Sequence, residues 1–265
     1  MNKKYAKDCT IRELMAVFIS RDIQDGEVIG GGGAQPVPRA GQLLAHLHHG
    51  PNMKFQVIAR QNLYHIPVLP PFELFNDWRV TRWAESYWMM GEIFDDLKIF
   101  RKRIFFTSGI QIDKYGNTNL FGVGDNYKRL KFKGPGGMGA ATASSLVNRY
   151  HIFANSHNKR IFVEKCDFIS CLGWGNGGKD ARKKLGLPGG GPKYCITPLC
   201  IMDFEEESKR MRLKSLHPGV ALDEVVNNTG FELIIPAHVP QTEPPTEEEL
   251  EILRTRVDPE GTLRS

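Results

Sequence analysis

The chain has 265 residues, of which 41% are hydrophobic and 25% charged, ordinary values for a folded globular protein. They exclude a disordered, collagen-like or fibrous protein, and the length is sufficient for a sizeable core. The 35 basic and 30 acidic residues give a net charge of +5, which argues only weakly for a nucleic-acid partner.

No apolar run approaches the roughly 20 residues of a membrane-spanning helix, and the first residues form no apolar signal core. The five cysteines are an odd number, widely spread, without a Cys-x-x-Cys pair or a histidine at ligand spacing. This pattern supports neither a disulfide framework nor a zinc site, and no metal site is predicted. We therefore expect a cytoplasmic protein that is not bound to a membrane.

Apolar periodicity and turn residues predict helices and strands that alternate along the chain. Capping-box sequences open the first helix, at Thr10–Glu13, and the last, at Thr246–Glu249. Helices are predicted at about 11–26, 36–47, 139–146, 221–227 and 246–256, and strands at 27–29, 55–59, 103–107, 150–154, 160–164, 194–201, 211–216 and 231–235. The alternation predicts an α/β fold with an open, largely parallel sheet and flanking helices.

The chain shows no internal repeat and no long linker, which predicts a single domain over residues 1–265. Residues 67–90 are rich in proline and tryptophan and predict an irregular excursion over the sheet. The aromatic residues Trp78, Trp83, Tyr87 and Trp88 within it suit either a subunit interface or packing on the chain's own sheet. Residues 236–258 predict an extended proline-rich segment followed by the final helix.

Two glycine-rich segments are candidates for contact with a small anion. Gly30–Gly33 lies between a predicted strand and a predicted helix, and is either a ligand-contacting loop or a tight turn. Gly134–Gly139 has the G-x-G-x-x-G spacing, but the lysine-rich stretch 128–133 precedes it where a buried strand is required, which disfavours a nicotinamide cofactor. The second segment is therefore interpreted either as a backbone nest that binds an anion or as a plain turn. The lysines of residues 128–133 form either a solvated face or part of an anion site.

The segment Ser108–Asn119 follows a predicted strand and contains Asp113-Lys114-Tyr115-Gly116-Asn117. These five residues are ordinary turn formers, so the segment taken alone is more often a structural loop than a site. Gln111 is the residue in it with hydrogen-bonding reach.

Several segments, in the same order along the chain, resemble the β chain of the family I CoA-transferases, and the glutaconate CoA-transferase type most of all. They are the first glycine-rich loop, Ser108–Asn119, Phe132–Gly137, Lys184–Gly189, Leu216–Val220, Asn228–Glu232 and Val257–Pro259. The resemblance covers nearly the whole chain. It implies an open α/β chain that pairs with a homologous α chain, in an α2β2 complex with the active site between the chains. Acyl-CoA thioesters are the implied substrates, with coenzyme A as part of the substrate and no bound cofactor.

One departure from this family affects the expected reaction. In the transferases, the β chain supplies a glutamate at the end of the second strand, which attacks the thioester and carries the CoA. Here that position falls on Arg60, or on Ala59 if the register slips by one, and no carboxylate occurs from Val28 to Phe72. Because arginine stays cationic at any relevant pH, it cannot act as this nucleophile.

Relatives within the family also lack this glutamate: a hydrolase that opens the last carbocyclic ring of a steroid-derived acyl-CoA, and a decarboxylase of a branched glutaconyl-CoA. The resemblance therefore favours C–C bond cleavage on an acyl-CoA over CoA transfer, while transfer and a non-catalytic scaffold remain alternatives. We expect Arg60 and Gln111 to be catalytic. The residues expected to contact the substrate or its CoA are Gly31, Gly32, Gly33, Gln61, Asn62, Gly109, Gly136 and Gly137.

Overall fold

The computed structural model describes residues 3–31, 35–57, 60–61, 86–88, 90–96, 98 and 101–265. The described helices are α1 Ile11–Asp22, α2 Pro36–His48, α3 Met90–Asp95, α4 Ala140–Leu146, α5 Ala181–Lys184, α6 Leu222–Asn228 and α7 Glu247–Ile252, and a π-helical turn, Leu253–Val257, follows α7. The strands are β1 Val28–Gly31, β2 Lys54–Val57, β3 Arg60–Gln61, β4 Ser86–Tyr87, β5 Arg103–Thr107, β6 Gln111–Ile112, β7 Thr118–Asn119, β8 Gly122–Val123, β9 Phe132–Lys133, β10 Arg149–Phe153, β11 Pro192–Ile196, β12 Cys200–Phe204 and β13 Met211–Leu216.

The chain forms two compact units. The first contains Met1–Ile104 and Glu243–Ser265, and the second contains Phe105–Thr242. The predicted single domain over residues 1–265 stays a prediction. Of the predicted excursion at 67–90, residues 67–85 and 89 lie outside the described residues, while β4 and the first residue of α3 fall in its last part.

In the first unit, β1 pairs in parallel with β2, and β2 turns back into the antiparallel strands β3 and β4. Arg60 stands opposite Val57 of β2 and Tyr87 of β4, so it begins a return strand. Helices α1 and α2 pack closely together: a Cβ on Gly41 of α2 would lie 2.5 Å from the carbonyl oxygen of Ala16 in α1. Only glycine permits this approach.

Capping boxes open α1 and α7 in the first unit, as the sequence predicts for both helix starts. Thr10 accepts the backbone N–H of Glu13 at the start of α1, and Thr246 accepts that of Glu249 at the start of α7. Each of these glutamates also binds an arginine of the opposite helix region: Glu13 pairs with Arg254 and Glu249 with Arg21. Burial opposes ionisation, but these hydrogen bonds hold the pKa of Glu13 and Glu249 below the ordinary value.

In the second unit, the strand order is β13-β12-β11-β10-β5. β10 and β11 are parallel, whereas β11, β12 and β13 form an antiparallel meander. Phe106, Tyr150, Phe153 and Phe162 are fully buried and form much of the core. Each unit therefore has a parallel strand pair, followed by antiparallel strands, with helices alongside. This arrangement confirms the predicted α/β class with an open sheet.

Three predicted strands are wrong in the second unit. Residues 160–164 form a turn in which the amides of Ile161 and Phe162 donate to the Asn158 carbonyl, so only an isolated bridge to Ile112 remains. Residues 194–201 are two strands, because the Thr197 hydroxyl accepts the amides of Leu199 and Cys200 and closes a turn. Residues 231–235 make a single bridge, at Ile234, before Pro236, which has no amide to donate.

Candidate active site

The Ser108–Asn119 segment folds into a short β-hairpin after β5. β6 and β7 are antiparallel, with Gln111 opposite Asn119 and Ile112 opposite Thr118. Between them, the carboxylate of Asp113 accepts the amides of Tyr115 and Asn117, and Gly116 takes a positive φ of 71°. Asp113 is buried, and this burial raises the pKa of its carboxyl group. The structure thus supports ordinary turn chemistry for residues 113–117.

Gln111 is buried, and its carbonyl oxygen is fully engaged. The Oε1 atom accepts Asn119 Nδ2 at 2.7 Å and the backbone N–H of Asp167 at 3.0 Å. Any contact between Gln111 and a ligand would therefore use its amide nitrogen. The catalytic role of Gln111 stays a prediction.

Asn119 connects Gln111 to the second glycine-rich segment. Its side chain donates to the Gly122 carbonyl and accepts the amides of Phe121 and Gly122. The next residue, Leu120, accepts the amide of Gly136 at 2.9 Å. Gln111 and Gly136 therefore belong to one continuous cluster of loops. Sequence reasoning missed Asn119, because its role depends on a partner that only the folded hairpin supplies.

The glycines of this cluster have different structural roles. A Cβ on Gly134 would overlap the Leu120 carbonyl oxygen, and one on Gly109 would lie 2.5 Å from that of Gln111, so close backbone approach requires glycine at both positions. Gly136 has a φ of 88°, and nothing lies within 4 Å of the position that an added Cβ would take, whereas a Cβ on Gly137 would already be in van der Waals contact with Ser170, at 3.6 Å. Gly136 thus borders open space, and the assignment of Gly136 and Gly137 to the substrate stays a prediction.

The remaining predicted site residues lie in the first unit or outside the described residues. Gly31 ends β1, and Arg60 and Gln61 form β3. Gly32, Gly33 and Asn62 lie outside the described residues. The assignments of all these residues to the site stay predictions.

A buried arginine beside β1 is a feature that the sequence does not reveal. The aliphatic part of Arg103 lies against Gly30, where an added Cβ would be 2.9 Å from the Arg103 Cδ atom. Burial lowers the pKa of Arg103 to about 10, although Asp96 opposes this shift. Glycine at position 30 therefore makes room for a desolvated guanidinium at the start of the first glycine-rich segment.

Arg182 holds three segments of the second unit together. The buried guanidinium donates to the carbonyl oxygens of Leu172 and Gly173, to that of Gly189, and to that of Ser144 near the end of α4. Burial lowers the pKa of this arginine. Because α4 follows Gly139 directly, Arg182 supports the helix that continues from Gly136 and Gly137.

Two buried histidines form a hydrogen-bonded group in the second unit. His217 Nε2 donates to the Thr197 carbonyl at 2.8 Å, so its Nδ1 accepts the Thr242 hydroxyl at 2.9 Å. His157 lies between the hydroxyls of Thr197 and Thr229. Burial lowers the pKa of both histidines to about 4.

These histidines make the unfolding free energy depend on pH. Their pKa is about 4 in the folded chain and near 6.5 in the unfolded chain, so their stabilisation is complete above pH 6.5 and is lost as the pH falls toward 4. We expect urea denaturation at pH 7, 6 and 5 to show falling stability, by up to about 1.4 kcal/mol per pH unit for each histidine. His217→Gln should flatten this slope, whereas His238→Gln, at an exposed position, should leave it unchanged. Equal slopes in all three proteins would contradict the assignment.

Within the part of the chain that the structure describes, no group of three or more His, Cys, Asp or Glu side chains is arranged to hold a metal ion. All five cysteines are free, and four of them are buried. None of the described helices is both long and apolar enough to cross a membrane.

Comparison with known proteins identifies the family. A family model described as coenzyme A transferase matches residues 97–228. The B-type chain of the 3-oxoadipate CoA-transferase of Pseudomonas knackmussii is 37% identical over 91% of each chain, and that of the glutaconate CoA-transferase of Acidaminococcus fermentans is 32% identical over 94% of this chain and 93% of its own. The cholesterol ring-cleaving hydrolase IpdB subunit of Rhodococcus jostii is 29% identical over 66% of this chain and 67% of that one.

Solved structures agree with these relatives. The crystal structure of glutaconate CoA-transferase from Acidaminococcus fermentans superimposes with a TM-score of 0.86 at 28% identity, covering 99% of both chains. The decarboxylase AibA/AibB shares the fold, with a TM-score of 0.80 at 21% identity over 97% of this chain and 98% of that one. The chain therefore belongs to the coenzyme A transferase family, and within family I it is a B-type subunit.

Proposed function

We propose that this chain is the β-type subunit of a heteromeric enzyme that acts on acyl-CoA thioesters together with an α-type subunit, as an α2β2 complex. Its relatives are B-type subunits, two of CoA-transferases and one of a ring-cleaving hydrolase, which supports the pairing. Coenzyme A enters as part of the substrate, and the enzyme needs no resident cofactor. The backbone at Gly136, which borders open space, and at the adjacent Gly137 is the part of this chain proposed to meet the acyl-CoA. Hydrogen bonds link this backbone to Gln111 through Leu120 and its neighbour Asn119.

The reaction proposed is C–C bond cleavage, and the absence of a carboxylate from Val28 to Phe72 carries this proposal. A β chain without a glutamate at the end of its second strand has no nucleophile to form a glutamyl thioester. In hydrolytic cleavage, water adds to a ketone carbon of the acyl group, and the adjacent C–C bond breaks. Its electron pair leaves as an enolate, which is then protonated. We assign to Arg60 the binding of this charge, or of a substrate carboxylate, as a bidentate donor.

Backbone donors are the second contribution of this chain. The amide of Gly136 already donates to the Leu120 carbonyl. The amide of Gly137 is therefore the donor of this pair that we assign to the substrate. Preorganised donors of this kind stabilise developing negative charge without reorganisation during the reaction.

CoA transfer is the second candidate function. The 37% identity to the B-type chain of a 3-oxoadipate CoA-transferase, over 91% of both chains, favours it. In that case the nucleophilic carboxylate must come from the α-type subunit, since this chain has none between Val28 and Phe72.

The purified complex distinguishes the two reactions. We expect no CoA exchange between two carboxylic acids, and no modification of this chain after incubation with acyl-CoA followed by borohydride. A carbocyclic or branched acyl-CoA that bears a keto or carboxylate group should instead yield a product with a broken C–C bond, identified by mass spectrometry. Ping-pong exchange of CoA between acids would overturn C–C cleavage in favour of transfer.

A further inference from the structure

Exposed apolar side chains concentrate in one part of the second unit. Half of the exposed large hydrophobic side chains among the described residues lie between Phe121 and Ile169. Met138 is 83% exposed and adopts a positive φ of 43°, which is uncommon for a residue with a side chain. Exposed apolar side chains that gather in one region are candidates for a contact surface.

The aromatic residues share one face of a β-hairpin. β8 and β9 pair antiparallel with Val123 opposite Phe132, and Phe121, two residues before Val123, projects to the same side by strand alternation. The ring of Phe121 packs edge-on against Phe168, with centroids 5.1 Å apart. Phe132 is 57% exposed.

One hydrogen bond and one close approach connect this face to the neighbourhood of Met138 and Ile169. The Leu120 amide donates to the hydroxyl of Ser170, which follows Ile169, and the Cβ direction of Gly137 points at Ser170 from 3.6 Å. The side chains of Phe121, Phe132, Met138, Phe168 and Ile169 are here called the hairpin surface.

Positive charge accompanies the hairpin surface. Residues 120–138 contain the cations Lys128, Arg129, Lys131 and Lys133 and one carboxylate, Asp125. A second carboxylate, that of Asp167, accepts the backbone amide of Gly124 in the hairpin, so cations still outnumber carboxylates there. All four cations are exposed. Two copies of the chain that met through this surface would bring these cations together, which disfavours a symmetric contact. A partner that matches this surface needs an apolar patch with an acidic border.

We propose that the hairpin surface is the docking site for the α-type subunit, through such an acidic-bordered apolar patch. This inference rests on the proposed heteromeric function. The hairpin is continuous with the candidate site: its first strand is held by Asn119, and its second strand leads directly to Gly136. Docking on the hairpin therefore sets the position of the backbone assigned to the substrate.

The test uses this chain and the α-type CoA-transferase subunit from the same organism. Phe132→Glu should weaken their association about 100-fold, measured by isothermal titration calorimetry, because central aromatic residues dominate interface energies. The matched control is Leu185→Glu, since Leu185 is 59% exposed but is not part of the hairpin surface, and it should change the dissociation constant less than twofold. Thermal unfolding of each isolated variant verifies that its fold is intact.

A second variant tests the charges without removing an apolar group. Lys131→Glu with Lys133→Glu should slow association at least tenfold at low salt, and the difference should shrink as salt is added. If both variants bound the α-type subunit with the wild-type dissociation constant and association rate, the docking site would be overturned. It would also be overturned if the α-type subunit did not bind the wild-type chain. An intact complex with a raised KM for acyl-CoA would show that the surface binds ligand instead, which also overturns it. A complex that depends on Phe132 but cleaves no acyl-CoA would leave the docking site standing and refute the proposed reaction.

Discussion

Replacing Arg60 by methionine in the assembled complex should lower kcat for acyl-CoA cleavage about 100-fold. Methionine replaces the aliphatic part of the arginine side chain but offers no N–H donors, so charge that develops on the enolate loses a bidentate partner. The expected loss is of the order observed when one oxyanion-hole donor is removed. Arg60→Lys, which retains the charge but not the planar fork, should lose less activity than Arg60→Met.

The control for this experiment is Lys54→Met, on the adjacent strand β2, where an exposed cation is removed. This variant should retain the wild-type rate, and all variants should bind the α-type subunit equally. If Arg60→Met also retains the wild-type rate in an intact complex, the arginine has no catalytic role, and the scaffold alternative gains support.

Replacing Arg182 by methionine should lower the free energy of unfolding by about 3 kcal/mol, because buried carbonyl acceptors lose their donors. These acceptors belong to Leu172, Gly173, Gly189 and Ser144, and Arg182 itself is only 3% exposed. Urea denaturation measures the loss.

Lys184→Met is the matched control on the same short helix, α5, since Lys184 is exposed. Its effect should stay within about 0.5 kcal/mol, as for most surface substitutions. Equal stability of Arg182→Met and Lys184→Met would contradict the assigned role of Arg182 in holding the three segments.

Local signals in the sequence predict most helices well. The boxes at Thr10–Glu13 and Thr246–Glu249 place both donor and acceptor within four residues, so the starts of α1 and α7 follow from sequence alone. Strands are predicted less well, because an apolar run such as Phe231–Ile235 specifies burial but not a hydrogen-bonding partner. Residues 194–201 merge into one predicted strand for a similar reason: the Thr197 turn depends on a side-chain hydroxyl that periodicity does not register.

The candidate site shows the same division. The order of its segments identifies Gln111, Gly136 and Gly137 as candidate site residues. It does not show that Asn119 links them or that the side-chain Oε1 atom of Gln111 already accepts hydrogen bonds. Gly109 and Gly134 are indistinguishable from ligand-contacting glycines by sequence. Their requirement for glycine arises because the fold brings a carbonyl oxygen against the position where a Cβ would stand.

By itself, the sequence determines the α/β class, the family and the absence of a carboxylate from Val28 to Phe72, because these depend on residue identity and order along the chain. Only the tertiary structure decides that Arg182 joins three segments, that His217 and His157 are buried neutral bases, and that Phe132 stands exposed on a basic hairpin. These properties depend on which distant groups meet and how much water they exclude, since hydrogen-bond partners and desolvation are set by neighbours in space.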